Sequence, residues 1–570
     1  MSDKQVEQLK EEVLTLGHPL GNKVFEYSDD RYDPHLYHLL FNWHPDHFHE
    51  DKGIRPSIIL GRRGAGKSSY LNNLSHKKDV VAVPVKSWDA VDLIEKQVKL
   101  ILNNQNSLDA EKVAHIWHLV FLTLATKALV RLAPSSEEIK AIVQNIPIKN
   151  FAAKAFIVIA KEMLEVLKNK YLQNNDTSFD LSTISDSIGL WCNSLSEWEL
   201  ILSGAAKNVG KVIIIMIDNP ELLEPNADFD WERSYSEASK PRWHTYAGLL
   251  TLLAHFNEGK VGIQARYCVA AEQYFFLQER SSAILKDFSN IQVLHWSSGE
   301  ILSALAHRYM VYLQLHPQNR NDKKYKNLKM VPIYSRNGAF EFFRMVFEEY
   351  VTNKREHTEK TITYLLRHTQ LLPRQVILYT NKAIQIALQN DPMYDLTHLD
   401  SKLLRYAIET NEDLCAREII DSYRPVFPEG RELMDTIDDI PLISLLEDLK
   451  RDWSKLGAKK VLNKYLAFPG VTVEADRFIR FLVEVGVIGR VQSSGDLKNG
   501  DYVNAEYEYT LPQRLHVHSN DYIAIHPIFS NHASPQRYSD LDPYKGVYPK
   551  GTDLDAAIDK LAIKNKYIWG

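Results

Sequence analysis

The sequence predicts an α/β protein: a doubly wound parallel sheet carrying a phosphate-binding loop, then a helical lid and a winged-helix-like carboxy-terminal region. Three observations carry that expectation. A glycine-rich loop, Gly61-Arg62-Arg63-Gly64-Ala65-Gly66-Lys67-Ser68, stands between a short apolar run and a helical pattern. A second apolar run, Val212 to Ile217, ends on Asp218. Five β-type runs, at 57–60, 80–85, 211–217, 261–270 and 291–295, alternate with helical stretches, as in a doubly wound core.

The loop comes first. "PSIIL" (56–60) reads as a buried strand and "SSYLNNLSH" (68–76) as the start of a helix. Between them the chain fits G-x-x-x-x-G-K-[ST] at every position. Glycines let backbone N–H groups turn inward around phosphates, and the helix N-terminus adds a favourable dipole. The cradle spans Gly61, Arg62, Arg63, Gly64, Ala65, Gly66, Lys67, Ser68 and Ser69. Lys67 is expected on the β- and γ-phosphates of ATP, and the Ser68 hydroxyl on Mg²⁺. Asp218, closing the most apolar β-rich run in the chain, is the expected metal-side carboxylate.

Lys67 and Asp218 are 151 positions apart, about twice what a minimal α/β core needs. The surplus has apolar residues at three and four spacing, as in "VAHIWHLVFLTLATKALVRL". It reads as an α-helical insertion over 91–205. The expected boundaries are 1–90 for the N-terminal segment and start of the core, 206–310 for its remainder, and 311–425 for the lid. A winged-helix-like domain over 431–533 and a tail over 534–570 complete the chain.

After the turn-rich "DSYRPVFPEG" (421–430) the pattern changes. "LISLLEDLKRDWS", "AKKVLNKYLAF" and "VEADRFIRFLVEVGVIGRV" read as three helices, the last running into a strand. "YEYTL" and "DYIAIHPIF" read as paired strands. Residues 451–492 hold Arg451, Lys455, Lys459, Lys460, Lys464, Arg477, Arg480 and Arg490 against Asp452, Glu474, Asp476 and Glu484, eight minus four, or +4. Such a module lays a helix on DNA or serves as an assembly surface, and the modest charge favours assembly. His516, His518 and His526 have no cysteine or carboxylate to complete a metal site. The amphipathic stretch 553–565 packs on a neighbour or recruits a partner.

Composition bounds the remainder. The chain has 68 basic and 73 acidic residues, net −5, so any nucleic-acid surface is local. Only Cys192, Cys268 and Cys415 occur, with no metal spacing and no disulfide framework. "MSDKQVEQLKEEVLTL" lacks a signal-type core, and no apolar run is read as membrane-spanning, so a cytoplasmic protein is expected.

"GRRGAGKS", "IIIMIDNPE", "VGIQARYCVAAE" (261–272), "IQVLHWSSGEILSALAHRYM" (291–310) and "LLPRQVILYTNKAI" (371–384) together resemble the AAA+/STAND-type P-loop ATPases of prokaryotic defence and signalling. The likeness covers roughly residues 20 to 390. It implies that Arg374 is a sensor arginine contacting the γ-phosphate from the lid; its alternative is a surface arginine at a helix start. Gln264 or Arg266 would be a polar sensor, or else face solvent. Arg308 matches a family position whose alternative is a surface helix arginine. Such ATPases carry a second carboxylate after the first to polarise water. Here that place holds Asn219, so Glu221, ahead of Glu224, is the expected base. Three functions follow: a nucleotide switch that oligomerises and controls a separate effector, in anti-phage defence by resemblance; a DNA-handling ATPase of initiator or transposition-regulator type; or a nucleotide-binding scaffold with little turnover.

Overall fold

The computed structural model describes residues between 56 and 552. The stretches 86–93, 97–109, 167–194, 219–239, 257–261, 273–290, 316–322, 455–473, 493–501, 511–514 and 533–545, with some isolated positions, fall outside the description. So do both ends of the chain, and with them the stretch 553–565. The described chain divides into two units. Of the described residues, one unit holds 56–62 and 67–294; the other holds 63–66 and 295–552.

In the first unit five apolar runs become one parallel sheet. The strands are β1 (Ile58–Gly61), β2 (Val80–Val85), β3 (Val212–Ile217), β4 (Ile263–Ala270) and β5 (Ile291–Leu294), in the order β2-β3-β4-β1-β5. Every position of β4 is buried and so are five of the six of β3; β3 therefore reads as a continuous apolar run instead of an alternating one. Helix α1 (Lys67–Ser75) follows β1 directly.

The described residues between β2 and β3 include three helices: α2 (Ala110–Leu132), α3 (Glu137–Asn145) and α4 (Leu195–Asn208). These helices, with α5 (Lys240–Phe256), share one apolar cluster with Ile213, Ile215, Ile263, Ala265 and Tyr267 of the sheet. Polar links fix their register. Trp117 donates its indole N–H to the Thr245 carbonyl at 2.8 Å, and Trp198 to the Thr126 hydroxyl at 3.1 Å. Gly248 lets α5 close on α2, because a Cβ there would lie 2.5 Å from the Val113 side chain.

Contrary to the sequence reading, Val113–Leu132 is 20 residues long with mean hydropathy 1.5, enough to cross a membrane by length and composition. Scattered polar residues (His115, His118, Thr123, Thr126, Lys127) disguise it. In this fold 83% of that hydropathy window is buried against the unit's other elements.

The second unit opens with helices α6 (Ser298–Leu315), α7 (Lys323–Lys329) and α8 (Arg336–Val346). Ser297 and Glu300 form a capping box at the entry to α6: Glu300 Oε2 accepts from the Ser297 amide at 2.8 Å, and Ser297 Oγ from the Glu300 amide at 3.3 Å. A small hairpin follows, β6 (Tyr350–Thr352) and β7 (Thr358–Lys360), then α9 (Thr361–Arg367), α10 (Pro373–Asn390), α11 (Ser401–Ser422) and the short α12 (Gly430–Met434). Pro373 opens α10, and the Asp400 side chain caps α11.

The carboxy-terminal sheet has strands β8 (Ile443–Leu445), β9 (Ile488–Val491), β10 (Tyr502–Glu506), β11 (Tyr522–Ile525) and β12 (Gly546–Pro549), in the order β12-β10-β9-β11-β8. Helical residues 446–454 follow β8, and α13 (Ala475–Val485) precedes β9, ending on Gly486 at φ 76°. Strand, helices, strand and returning strand make a winged-helix-like arrangement, with β10 and β12 widening its wing side. Two expected elements shift. "YEYTL" is not the strand: β10 lies just before it, and Glu508–Thr510 is a 3₁₀ turn. Ile443–Leu445, expected in a helix, pairs with β11 instead.

The helices and this sheet are tied together within the unit. Gln370 donates to the Val485 carbonyl at 2.9 Å, Tyr548 to Glu359 at 3.0 Å and Asn531 to Glu412 at 3.2 Å. Glu359 also takes a two-pronged ion pair from Arg367, whose guanidinium lies over the rings of Tyr364 and Tyr548.

Candidate nucleotide site

Strand β1 ends at Gly61 and α1 begins at Lys67, so the predicted loop is the turn between them. Gly64 and Gly66 have φ of +91° and +96°. Side chains with a Cβ rarely adopt that backbone, and here it is what the inward turn of the amides requires. Lys67 is buried, and its ammonium donates to the Gly61 carbonyl at 2.7 Å and the Arg62 carbonyl at 3.1 Å. The charge therefore sits inside the loop's own curve.

Asp218 follows β3, and Ser68 Oγ donates to its Oδ2 at 2.7 Å, across 150 positions of sequence. The two residues expected to hold Mg²⁺ are thus brought together. Asp218 Oδ1 is shut off from solvent and has no hydrogen-bond partner among the described residues. Burial raises the Asp218 pKa above the ordinary carboxylate value, opposed by the Ser68 hydrogen bond and the Lys67 charge. A carboxylate disfavoured by burial, with one buried oxygen unsatisfied and a hydroxyl beside it, is a donor set that fits a hard divalent cation. Behind it, Cys268 Sγ contacts the Lys67 carbonyl at 3.8 Å; burial, chiefly, and the Asp218 charge push its thiol pKa well up, leaving it inert.

In the other unit the loop tip, Arg63 to Gly66, has two neighbours. A Cβ on Gly64 would lie 3.1 Å from Arg374 Cβ and 3.2 Å from its Cδ, so Arg374 crosses the tip directly. Its Nε is 4.0 Å from Glu418. Burial lowers the Arg374 pKa, Glu418 opposes that, and the like charge of Arg63 adds to it. On the other side Trp296, buried, donates its indole N–H to the Ala65 carbonyl at 2.8 Å.

Other expectations change. Gln264 and Arg266 do not face solvent: both are buried, and Arg266 donates to Gln264 Oε1 at 2.8 Å. Arg308 is also buried and not a surface helix arginine. His526 lies in the core, bonded to the Tyr509 hydroxyl at 2.6 Å. Asn219, Glu221 and Glu224 lie outside the described residues. Sequence reasoning gave no role to Trp296, or to Glu272, a buried carboxyl two residues past Ala270, which is in register with Gly61. The only available signals were a tryptophan and an acid just after predicted strands.

The parallel order β2-β3-β4-β1-β5, the loop between β1 and α1, and the aspartate after β3 define a P-loop NTPase fold. No protein-family profile matches the chain, and no curated protein matches it significantly. Among solved structures it is similar to the Aeropyrum pernix ORC2 protein in ADPNP–ADP complexes, at 12% identity over 84% of this chain and 87% of that one, TM-score 0.31. It is also similar to CDC6P from Pyrobaculum aerophilum, at 12% identity over 90% and 96% of the two chains, TM-score 0.23.

Proposed function

We propose that this chain is a P-loop ATPase of AAA+ kind that works as a nucleotide-dependent switch. The observation that carries the reading is the Ser68–Asp218 hydrogen bond beside a buried Lys67. Two consecutive loop residues and an aspartate 150 positions away, groups suited to triphosphate and Mg²⁺, come together where β1 and β3 end. Mg²⁺, held by Ser68 and Asp218, would neutralise charge developing on the transferred phosphoryl group. Lys67 would donate to the β- and γ-phosphates, the amides of residues 64–68 would cradle them, and Arg374 would sense the γ-phosphate. Glu221 is proposed to polarise the attacking water.

ATP binding is proposed to change oligomeric state and so govern a partner effector. The anti-phage setting rests on the sequence resemblance. The second reading, a DNA-handling ATPase of initiator or transposition-regulator type, is favoured by the winged-helix-like order of the carboxy-terminal sheet.

The test is an ATP titration with Mg²⁺ on wild type and Lys67→Ala, with mass measured in a non-hydrolysable analogue. Losing the charge-assisted bonds of Lys67 is expected to weaken binding by roughly 10- to 150-fold. Equal affinity in the two proteins removes the loop from the function.

A further inference from the structure

We infer that Trp296 is a positioning residue for phosphate binding, acting through the Ala65–Gly66 peptide. This rests on the reading that the loop holds a triphosphate. A trans peptide is planar, with its C=O and N–H pointing in opposite directions. The indole N–H of Trp296 holds the Ala65 carbonyl at 2.8 Å. The same bond therefore aims the Gly66 N–H the opposite way, away from the indole, on the side proposed for the phosphate.

The peptide needs such a fixture. It is flanked by Gly66 and, one residue earlier, Gly64, both at positive φ. Glycine adopts either sign of φ at little cost, so the loop's own sequence leaves the orientation of this plane weakly determined. An indole N–H is a donor only and carries no charge. It orients the carbonyl without adding a cation that would compete with Lys67, Arg63 or Arg374 for phosphate.

Trp296 is itself well anchored. It is 6% exposed, its ring edge is 3.9 Å from where a Cβ on Gly66 would stand, and the next residue, Ser297, enters the capping box of α6. With Arg374 across Gly64, the tip is held at two successive glycines by side chains of the same unit.

The experiment compares wild type, Trp296→Phe, Lys67→Ala and Trp453→Phe for affinity towards ATP and towards pyrophosphate, the phosphate part alone. Trp453 is the control. It also donates an indole N–H, to Thr436 at 2.9 Å, and stacks on Phe478, but in the carboxy-terminal region. Trp296→Phe is expected to weaken both ligands by the same factor, about 2- to 12-fold, the worth of one neutral hydrogen bond. Trp453→Phe is expected to leave both unchanged. If Trp296→Phe fails to fold, 3-benzothienylalanine at position 296 keeps the bicyclic shape and removes only the N–H, with the same expectation. Unchanged pyrophosphate affinity in these proteins, or an equal loss in Trp453→Phe, overturns the assignment. Wild-type ATP affinity in Lys67→Ala overturns the phosphate-loop reading instead, and the role of Trp296 with it.

Discussion

The two larger sheets of this protein are held together by different forces. The parallel sheet is mostly apolar, with the Arg266–Gln264 pair of β4 as an exception: Ile213, Ile215 and Ile217 on β3 and Ile58 on β1 are fully buried. The carboxy-terminal sheet has a charged node at its centre. Glu506 on β10 accepts from Arg490 at 2.7 Å, Gln492 at 3.1 Å and Lys550 at 2.7 Å, which joins β9, β10 and the residue after β12. Burial alone would raise the Glu506 pKa, yet these donors bring it down to about 2. Gly489 completes the close fit, because a Cβ there would lie 2.7 Å from the Tyr507 ring. One sheet is thus specified by a run of like residues, the other by partners that find each other across long stretches of chain.

The largest expected effect tests the apolar half of that contrast. Ile215→Ala removes a fully buried side chain from β3 and should cost about 2–5 kcal/mol of stability, since a cavity is left in a close-packed layer. Its cost should be the same at pH 7 and pH 4, read by denaturant unfolding at both. A strong pH dependence would show that the parallel sheet also depends on titrating groups.

A smaller effect is expected from Glu506→Gln, roughly 1–3 kcal/mol at neutral pH, the range for a lost charge-assisted bond. Here pH matters. The folded pKa lies below the unfolded one, so the stabilisation is fully present above the unfolded value near 4.5 and is lost as pH falls towards 2. Wild type and variant should therefore converge in stability between pH 4.5 and 2. Parallel stability curves through that window would remove Glu506 as the node.

The smallest expected effect concerns nucleic acid. Within 451–492, Arg477 pairs with Glu429, Arg480 with Glu484, Arg490 with Glu506, and Arg451 with Asp448 and Asp452. The guanidinium charge there is engaged internally. Changing Lys459, Lys460 and Lys464 together to Gln should leave duplex DNA affinity and its salt slope unchanged, measured by titration at several salt concentrations. A slope that falls by about 0.9 per lysine would put DNA on this surface and favour the DNA-handling reading.

The parts of the site that were legible in the sequence are those in which chemistry is confined to a few consecutive residues. Gly64, Gly66, Lys67 and Ser68 declare their place in the turn by spacing, and Asp218 its place at a strand end by closing an apolar run. Trp296 was not legible, because its partner Ala65 is 231 positions away and no local pattern encodes that bond. The misplaced strand has a similar cause. Tyr507 and Tyr509 alternate as strand residues do, yet their rings stack 5.8 Å apart beside His526, so it is packing that sets the alternation. For β8, the run "LISLL" matches helix and strand equally, and only its pairing with β11 decides.

The helices between β2 and β3 carry one more consequence. Trp117, Phe121 and Leu129 of α2 and Trp198 of α4 lie in the same apolar cluster as Ile213, Ile215 and Tyr267 of the sheet. Removing that stretch would uncover the apolar faces of the strands and would release the Thr245 carbonyl of α5 that the Trp117 indole now satisfies. The segment therefore behaves as a wall of the building, not as an ornament on it. Anyone transplanting this candidate site into another scaffold would have to carry the wall along with the glycine-rich loop.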